Sequence, residues 1–357
     1  MSNLQFIFVH GLSGWGSYDR AYARMPYWGM RNGDLMVWLR SQGYSCSAAS
    51  VAPTGSAWDR ACELYGQLAG TQTDYGRCHA EENHHASFGP DFTGRPLIPR
   101  WDEDTRLVLL GHSFGGATVR MLAHLLAFGE AKEREDKDCS PLFKGGQEKK
   151  VFALVTLASP MNGTTAYDMF EDPDFDPASV AVPLWSRVLA KMMSMGTRDG
   201  DDGRSKSDWA GYDMHLDNAD KLNRKFTTLP SAYYFSVPCR ASVADEKGNQ
   251  VPVKGVEPLF IARGHQIGAY TGTTRGGLVI DESWKENDGL VNTISACCPT
   301  HAPGKPLDRD NITPGIWNIF STVEGDHMWL QGGLLHRHDI RPFYLDLLTM
   351  ISGLENQ

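Results

Sequence analysis

A serine flanked by glycines is the residue of this sequence best placed for nucleophilic chemistry. The segment reads Gly111-His112-Ser113-Phe114-Gly115, after an apolar run at 107–110 and before a helix-compatible stretch at 117–126. This strand, turn and helix order is typical of a nucleophile elbow, where glycines let the two elements approach closely. A serine in an ordinary strand-to-helix turn is the alternative, because so short a motif also occurs by chance. The motif predicts a catalytic Ser113 only if a base and an acid follow.

Asp288 and His327 are the candidates for the acid and the base. A serine hydroxyl is a poor nucleophile until a base accepts its proton and an acid orients that base. In α/β-hydrolases the order along the chain is serine, acid, histidine, and both residues lie in turns near predicted strand ends. Other histidines also follow the serine, so order alone leaves the base open; they include His265, His301, His336 and His338.

A glycine-rich loop, His10-Gly11-Leu12-Ser13-Gly14-Trp15-Gly16, follows the first apolar run. Such a loop, beside the nucleophile strand, supplies one backbone N–H to an oxyanion, and the residue after the serine supplies the other. We expect the backbones of Leu12 and Phe114 to be these donors. A glycine-rich turn without function is the alternative.

The polar loop at 74–85 contains three histidines, His79, His84 and His85, with acids nearby. This composition invites a zinc site, but the spacing matches no standard signature. Asp59, at the start of a predicted helix, reads by itself as a capping or first-turn acid.

Elements that could position these residues alternate along the chain. Apolar runs predict buried strands, and periodic segments predict helices. The strands are expected at 4–9, 44–51, 107–110, 151–157, 231–237 and 316–322, and the helices at 33–40, 56–68, 117–126 and 340–351. Loops or edge hairpins are expected over 251–274. This alternation favours an α/β class with a mainly parallel sheet covered on both faces.

Residues 166–230 interrupt that alternation. Apolar residues at helical spacing predict a helix over 183–193, followed by a charged loop. Its apolar stripe fits either core packing or a lid over the serine.

The bulk composition bounds the class of protein. The 357 residues carry a net charge of −9, which argues against a nucleic-acid partner. No apolar run approaches the roughly 18 residues of a membrane span. The seven cysteines form no regular framework, so we expect mostly free thiols. The N-terminus lacks the pattern of a signal peptide, so we expect a chain that stays in the cell or one from which such a peptide was removed.

Several segments together resemble the thermoalkalophilic bacterial lipases typified by Geobacillus enzymes. The similar stretches run in one order from residue 6 to about 345: residues 10–16, 27–29, 58–63, 74–76, 111–113, Asp213 with 221–223, 286–289 and 326–327. The resemblance implies one α/β-hydrolase domain over 1–357, with Ser113, Asp288 and His327 as its triad. It places Leu12 and Phe114 at the oxyanion positions, where the family usually has Phe and Gln.

The resemblance also implies a structural zinc ion. The matching ligand positions are Asp59, His79, His85 and Asp213, with His84 as the competitor if the register slips by one. The zinc subdomain would comprise about 56–100 and 205–215, and a lid about 166–204. The resemblance further implies secretion.

Two departures from the family matter. Its calcium-binding acids follow the catalytic histidine, but residues 328–338 contain no acid, which puts a calcium site in doubt. The lid region is also shorter than in the family, which could shift the substrate range towards shorter esters.

We therefore expect a serine carboxylic-ester hydrolase, foremost a triacylglycerol lipase, that forms an acyl-enzyme on Ser113. Its substrate would be a lipid or ester, taken at an oil-water interface if the lid allows. The alternatives are a soluble esterase or phospholipase with a reduced lid, a zinc-stabilised binding module with a dead triad, and a zinc hydrolase.

Overall fold

A computed structural model describes residues 4–188 and 203–356 of the chain. The strands are β1 (Leu4–Val9), β2 (Ser45–Ala49), β3 (Gln72–Asp74), β4 (Phe88–Asp91), β5 (Arg106–His112), β6 (Val151–Leu157), β7 (Tyr233–Val237), β8 (Cys239–Arg240), β9 (Ser242–Ala244), β10 (Gln250–Pro252), β11 (Gly272–Thr273), β12 (Val279–Ile280), β13 (Gly304–Pro306), β14 (Trp317–Ile319) and β15 (Val323–Glu324). The α-helices are α1 (Leu35–Ser41), α2 (Ala57–Ala69), α3 (Arg77–Asn83), α4 (Gly115–Phe128), α5 (Pro141–Lys144), α6 (Thr165–Asp168), α7 (Ala210–Asp213), α8 (Leu216–Lys225), α9 (Ile261–Ala269) and α10 (Arg341–Gly353).

Seven strands form the central sheet, in the order β13-β14-β7-β6-β5-β1-β2. Every neighbouring pair in this sheet is parallel. The carboxyl ends of β1 and β5 therefore lie side by side. The glycine-rich loop leaves one of them and the serine turn leaves the other.

Apolar packing on both faces explains why these runs fold as buried strands. In β1 successive side chains alternate, so Phe6 and Phe8 enter one core while Ile7 and Val9 enter the other. Helices α2 and α4 cover the face of Ile7 and Val9. Helices α1 and α10 cover the opposite face. The α/β class with a parallel sheet between helices, in the α/β-hydrolase arrangement, is thus confirmed.

The edge segment 251–274 differs in part from its prediction. Short strands are present at β10 and β11, but α9 lies between them. The sequence did not predict this helix because the segment contains glycines, which are unfavourable in helix interiors. Gly268 is needed there since a Cβ at this position would lie 1.8 Å from the carbonyl oxygen of Gln250, so only a glycine lets α9 pack against β10.

The described part of the region at 166–230 contains several short helices separated by turns and loops. Residues 184–188 are helical, and the rest of the predicted helix over 183–193 lies outside the described residues. Helices α7 and α8 complete the segment before β7. Within the described residues, no helix is both long enough and apolar enough to cross a membrane. All seven cysteines are free thiols, as the sequence suggested.

Candidate active site and candidate metal centre

The turn between β5 and α4 holds Ser113 in a strained backbone conformation. Its φ of 53° lies in the left-handed region, which non-glycine residues seldom adopt. Its glycine neighbours make the turn possible: a Cβ on Gly111 would lie 2.3 Å from the Gly115 carbonyl oxygen. A Cβ on Gly115 would in turn lie 2.4 Å from the carbonyl oxygen of Val9. This is the geometry of a nucleophile elbow.

The structure brings Ser113, His327 and Asp288 together from three distant parts of the chain. Ser113 Oγ is 2.8 Å from His327 Nε2, and His327 Nδ1 is 2.8 Å from Asp288 Oδ2. The backbone N–H of His327 also donates to the Asp288 carbonyl at 2.9 Å. All three side chains are buried. The arrangement can pass a proton from serine to histidine and stabilise the imidazolium that results.

The aspartate is fixed by its own turn. Its second oxygen, Oδ1, accepts backbone N–H bonds from Leu290 at 3.0 Å and Val291 at 2.8 Å. Oδ2 therefore remains directed at the histidine. Among the described residues, His327 is the histidine that contacts the serine hydroxyl; no such contact is made by His265, His301, His336 or His338.

A hydrogen-bonded chain connects the glycine-rich loop to the histidine. The Gly11 N–H donates to the Tyr27 hydroxyl at 3.1 Å, and that hydroxyl is 2.6 Å from His112 Nδ1. His112 Nε2 is 3.0 Å from the His327 carbonyl oxygen. Burial lowers the pKa of His112 well below its usual range, so its imidazole is neutral. Tyr27 then donates to Nδ1, and Nε2–H donates to the carbonyl.

The glycine-rich loop lies directly against the serine. A Cβ on Gly11 would be 2.7 Å from Ser113 Cβ, so this position must be a glycine. Within the part of the chain that the structure describes, the N–H groups of Leu12 and Phe114 donate to no protein acceptor. Two free backbone donors beside a serine hydroxyl are what an oxyanion needs.

A buried arginine, Arg60 of α2, holds this loop in place. Its Nη2 donates to the His10 carbonyl at 2.5 Å, and its Nη1 lies 3.4 Å from the Gly11 carbonyl. Its Nε donates to Thr118 Oγ1 of α4 at 2.9 Å. Burial lowers its pKa to about 10, which leaves it charged at neutral pH. Sequence analysis missed this residue, because nothing in its neighbourhood in the chain indicates its distant partners.

A cavity of about 670 Å³ opens next to the serine and the histidine. Its walls are mostly apolar, with contributions from the glycine-rich loop, α6, the 258–263 segment and the loop after His327. A cavity of this size and polarity can hold an acyl chain.

The loop after His327 is held by a carboxylate from elsewhere in the chain. Glu257 is 1% exposed, and its Oε1 accepts backbone N–H bonds from Leu334, Leu335 and His336 at 2.7, 2.6 and 2.9 Å. The sequence-based doubt about calcium rested on the absence of an acid within 328–338. The carboxylate of Glu257 lies 77–79 residues before the amides that it binds, so local sequence patterns could not identify it.

A second cluster of polar side chains is formed around Asp59 of α2. One ligand atom each from Asp59, His79, His85 and Asp208 lie within 4.8 Å of one another. His79 Nε2 is 3.2 Å from both Asp59 Oδ1 and Asp208 Oδ1, and His85 Nε2 is 3.3 Å from Asp208 Oδ2. Despite these short distances, three of the buried polar atoms make no hydrogen bond of acceptable geometry to any described residue: Asp59 Oδ1, His85 Nε2 and Asp208 Oδ2. Convergent donor atoms left unsatisfied fit a bound cation, so this cluster could bind a metal ion.

The structure differs from the prediction at the fourth candidate ligand, because Asp208 lies in the cluster and Asp213 does not. An antiparallel bridge between Gly55 and Trp209 sets Asp208 beside the start of α2. Asp213 instead accepts the Ala57 N–H at 2.8 Å and so caps that helix. Burial raises the pKa of Asp213 to about 7.

His84, the competing ligand, lies outside the cluster. It is the C-terminal cap of α3, with a φ of 60°, and its side chain is exposed. The two aspartates differ by only five positions in one polar stretch, so residue type alone could not separate them.

Comparison with known proteins agrees with this fold. Residues 2–176 match the family model described as "Lipase-like, C-terminal domain". The chain is 32% identical over 354 residues to a lipase of Staphylococcus hyicus, covering 90% of this chain and 52% of that protein. It thus spans about half the length of the curated relatives it matches.

Solved structures are similar over nearly the whole chain. EstA from Clostridium botulinum superposes with a TM-score of 0.84 at 27% identity, covering 98% of this chain and 87% of that one. Lipase 1 from Pelosinus fermentans superposes with a TM-score of 0.80 at 28% identity, covering 99% of each chain. In both sequence and fold, the chain is therefore similar to bacterial lipases and esterases.

Proposed function

We propose that the protein is a serine carboxylic-ester hydrolase, foremost a triacylglycerol lipase, with Ser113 as its nucleophile. The observation that carries this proposal is the 2.8 Å approach of Ser113 Oγ to His327 Nε2 beside a large apolar cavity. Its lipase relatives support the same reaction class.

The reaction follows from the positions of these groups. Ser113 Oγ attacks the ester carbonyl while His327 Nε2 takes its proton. The Leu12 and Phe114 N–H groups stabilise the oxyanion that forms, and His327 then protonates the departing alcohol. In the second half of the reaction, His327 takes a proton from water, which attacks the acyl carbonyl. The proton then returns to Ser113 Oγ as the carboxylic acid leaves. Asp288 keeps His327 in the required tautomer and orientation throughout.

Residues of about 166–204 serve as a lid in this proposal. Three exposed apolar side chains in the described part of it support this role: Leu184, Trp185 and Val188 are 79%, 51% and 57% exposed. Exposed apolar side chains near a substrate cavity favour contact with a lipid surface. The lid and the metal-binding insertions, at about 56–100 and 205–215, belong to one domain over 1–357.

The metal centre binds zinc in this proposal, through Asp59, His79, His85 and Asp208. Two imidazole nitrogens and two carboxylate oxygens form a four-ligand set of the kind that zinc accepts. Four protein ligands leave no open position for substrate, so the ion would stabilise the fold and take no part in the reaction.

Hydrolysis of a soluble p-nitrophenyl ester tests the proposed function. Ser113→Ala should lower kcat by roughly 10⁴-fold or more while the melting temperature is preserved. Ser41→Ala, at the exposed end of α1, is the matched control and should keep full activity. Undiminished turnover by Ser113→Ala would refute the proposal, and an inactive wild-type protein would favour a binding module with a dead triad.

A soluble esterase is the second candidate, favoured by the short segment available for a lid. A chain-length series that compares tributyrin with emulsified long-chain triacylglycerol separates the two. A lipase gains activity on the emulsified substrate, whereas an esterase acts on the short, dissolved ester alone.

A further inference from the structure

One positively charged side chain, Arg263 of α9, lines the substrate cavity. Among the described lining residues it is the only one of the types Asp, Glu, Lys or Arg. An apolar ester needs no cation in its binding cavity, and a charge in such surroundings is costly unless something pairs with it.

The protein itself gives this guanidinium no acidic partner among the described residues. No carboxylate oxygen lies within ion-pair distance of it there. Burial lowers the pKa of Arg263 to about 10, so the group stays charged at neutral pH. A charged group that is desolvated without a counter-ion marks a place where a ligand can supply one.

The contacts of Arg263 hold it in position without neutralising it. Its guanidinium carbon lies 4.5 Å from the centre of the Phe170 ring, and its Nη1 donates to Gln266 Oε1 at 3.2 Å. Gln266 is itself fixed by donating to the Pro177 carbonyl at 2.9 Å. The contact with Gln266 uses one of the five donors of the guanidinium.

We infer that Arg263 binds the phosphate of a glycerophospholipid whose ester bond reaches Ser113. The planar guanidinium matches phosphate oxygens geometrically and forms its strongest hydrogen bonds with them. The apolar walls of the same cavity can hold the acyl chains. This inference rests on the proposed function, since it specifies a substrate class for the same serine.

Two short-chain esters that differ in the anionic group provide the test. The probes are dihexanoylphosphatidylcholine below its micelle concentration and the neutral trihexanoylglycerol. For the Arg263→Met variant we expect kcat/KM on the phospholipid to fall by about 10- to 100-fold, the loss of one charge-assisted contact. On the neutral ester kcat/KM should stay within about threefold. Arg263→Lys should lie between the two on the phospholipid.

Arg275→Met is the matched control, because Arg275 is an exposed arginine that pairs with Glu171 outside the cavity. It should leave the ratio of the two activities unchanged. An equal loss on both esters would overturn the inference and assign Arg263 a structural role. A wild-type enzyme that hydrolyses the neutral ester but not the phospholipid would also overturn it.

One further outcome tells whether the anion is a phosphate or a carboxylate. Another distinguishes failure of this inference from failure of the proposed function. If Arg263→Met weakens inhibition by free hexanoate and leaves the ratio of activities unchanged, the partner is a product carboxylate and the phosphate assignment is wrong. If neither ester is hydrolysed by the wild-type protein, the proposed function itself fails.

Discussion

Asp59 and Arg60 are neighbours in α2, yet they reach opposite sites. Asp59 Oδ1 lies 3.2 Å from His79 Nε2 in the metal cluster, while Arg60 Nη2 donates to the His10 carbonyl at 2.5 Å at the start of the glycine-rich loop. One helix therefore joins the metal centre to the loop beside Ser113. A well-ordered metal cluster should therefore help to fix the positions of the candidate oxyanion donors.

The identity of the fourth metal ligand can be tested by paired variants. Asp208→Asn should lose the metal, because a neutral amide is a poor substitute for a carboxylate ligand. Asp213→Asn should keep it, since its carboxylate caps α2. Metal content per chain, measured by elemental analysis of protein purified without chelators, distinguishes the two. Loss of metal in Asp213→Asn with retention in Asp208→Asn would restore the sequence-based assignment.

Replacement of Arg60 should affect both stability and turnover. Arg60→Met leaves the carbonyls of His10 and Ala52 without their buried donor, which should lower the free energy of unfolding by about 3 kcal/mol. We also expect kcat on a soluble ester to fall about 10-fold where the protein is still folded, because the loop loses its anchor. Denaturant unfolding and steady-state kinetics measure the two effects.

Arg120→Met is the control for that experiment. Arg120 is a buried residue of α4 itself, and it donates to Asn223 Oδ1 at 2.6 Å, away from the loop. The Arg120→Met variant should therefore be less stable than the wild-type protein but keep its kcat. Equal losses of kcat in the two variants would mean that Arg60 has no specific effect on the loop.

The Asp288→Asn variant tests whether Asp288 orients His327, apart from any role that it has in folding. The asparagine retains an oxygen for the N–H groups of Leu290 and Val291, so the turn should persist. Loss of the carboxylate should lower kcat by about 10⁴-fold, because the histidine is no longer held in the tautomer that accepts the serine proton. The exposed Asp281→Asn is the control. A decrease of less than tenfold in a folded Asp288→Asn protein would argue against this role for the aspartate.

Glu257 should stabilise the loop after His327 through its charge. Glu257→Gln keeps an acceptor oxygen but removes the charge that strengthens three backbone hydrogen bonds. We expect the free energy of unfolding to fall by about 1–2 kcal/mol and amide exchange at residues 334–336 to accelerate. Glu246→Gln, at an exposed site, should change neither. Unaltered exchange at these amides would show that the carboxylate does not order the loop.

The sheet and the order of the triad could be predicted because both depend on local patterns. The runs that became β1 and β6 are apolar except for Gln5 and Thr156. The glycines on either side of Ser113 indicate the turn that holds it. Order along the chain agreed with Asp288 and His327, and the family resemblance selected them among the other candidates. Their contact with the serine is a property of the fold.

The remaining parts of the site depend on contacts that sequence spacing does not record. Asp208 meets Asp59 because a bridge at Gly55 and Trp209 aligns two distant segments. Arg60 and Glu257 are buried charges whose partners are backbone groups, and any residue could supply such groups. Helix α9 was missed because its glycines, which permit close packing, also suggest a loop.

Covalent labelling of the nucleophile tests the central claim most directly. A fluorophosphonate probe reacts with a serine whose hydroxyl is activated by a neighbouring base. Mass spectrometry of the intact protein and its peptides should find one adduct per chain on Ser113, with none in Ser113→Ala and much slower labelling in His327→Gln. A folded wild-type protein that takes up no probe, or takes it up at another residue, would contradict the account.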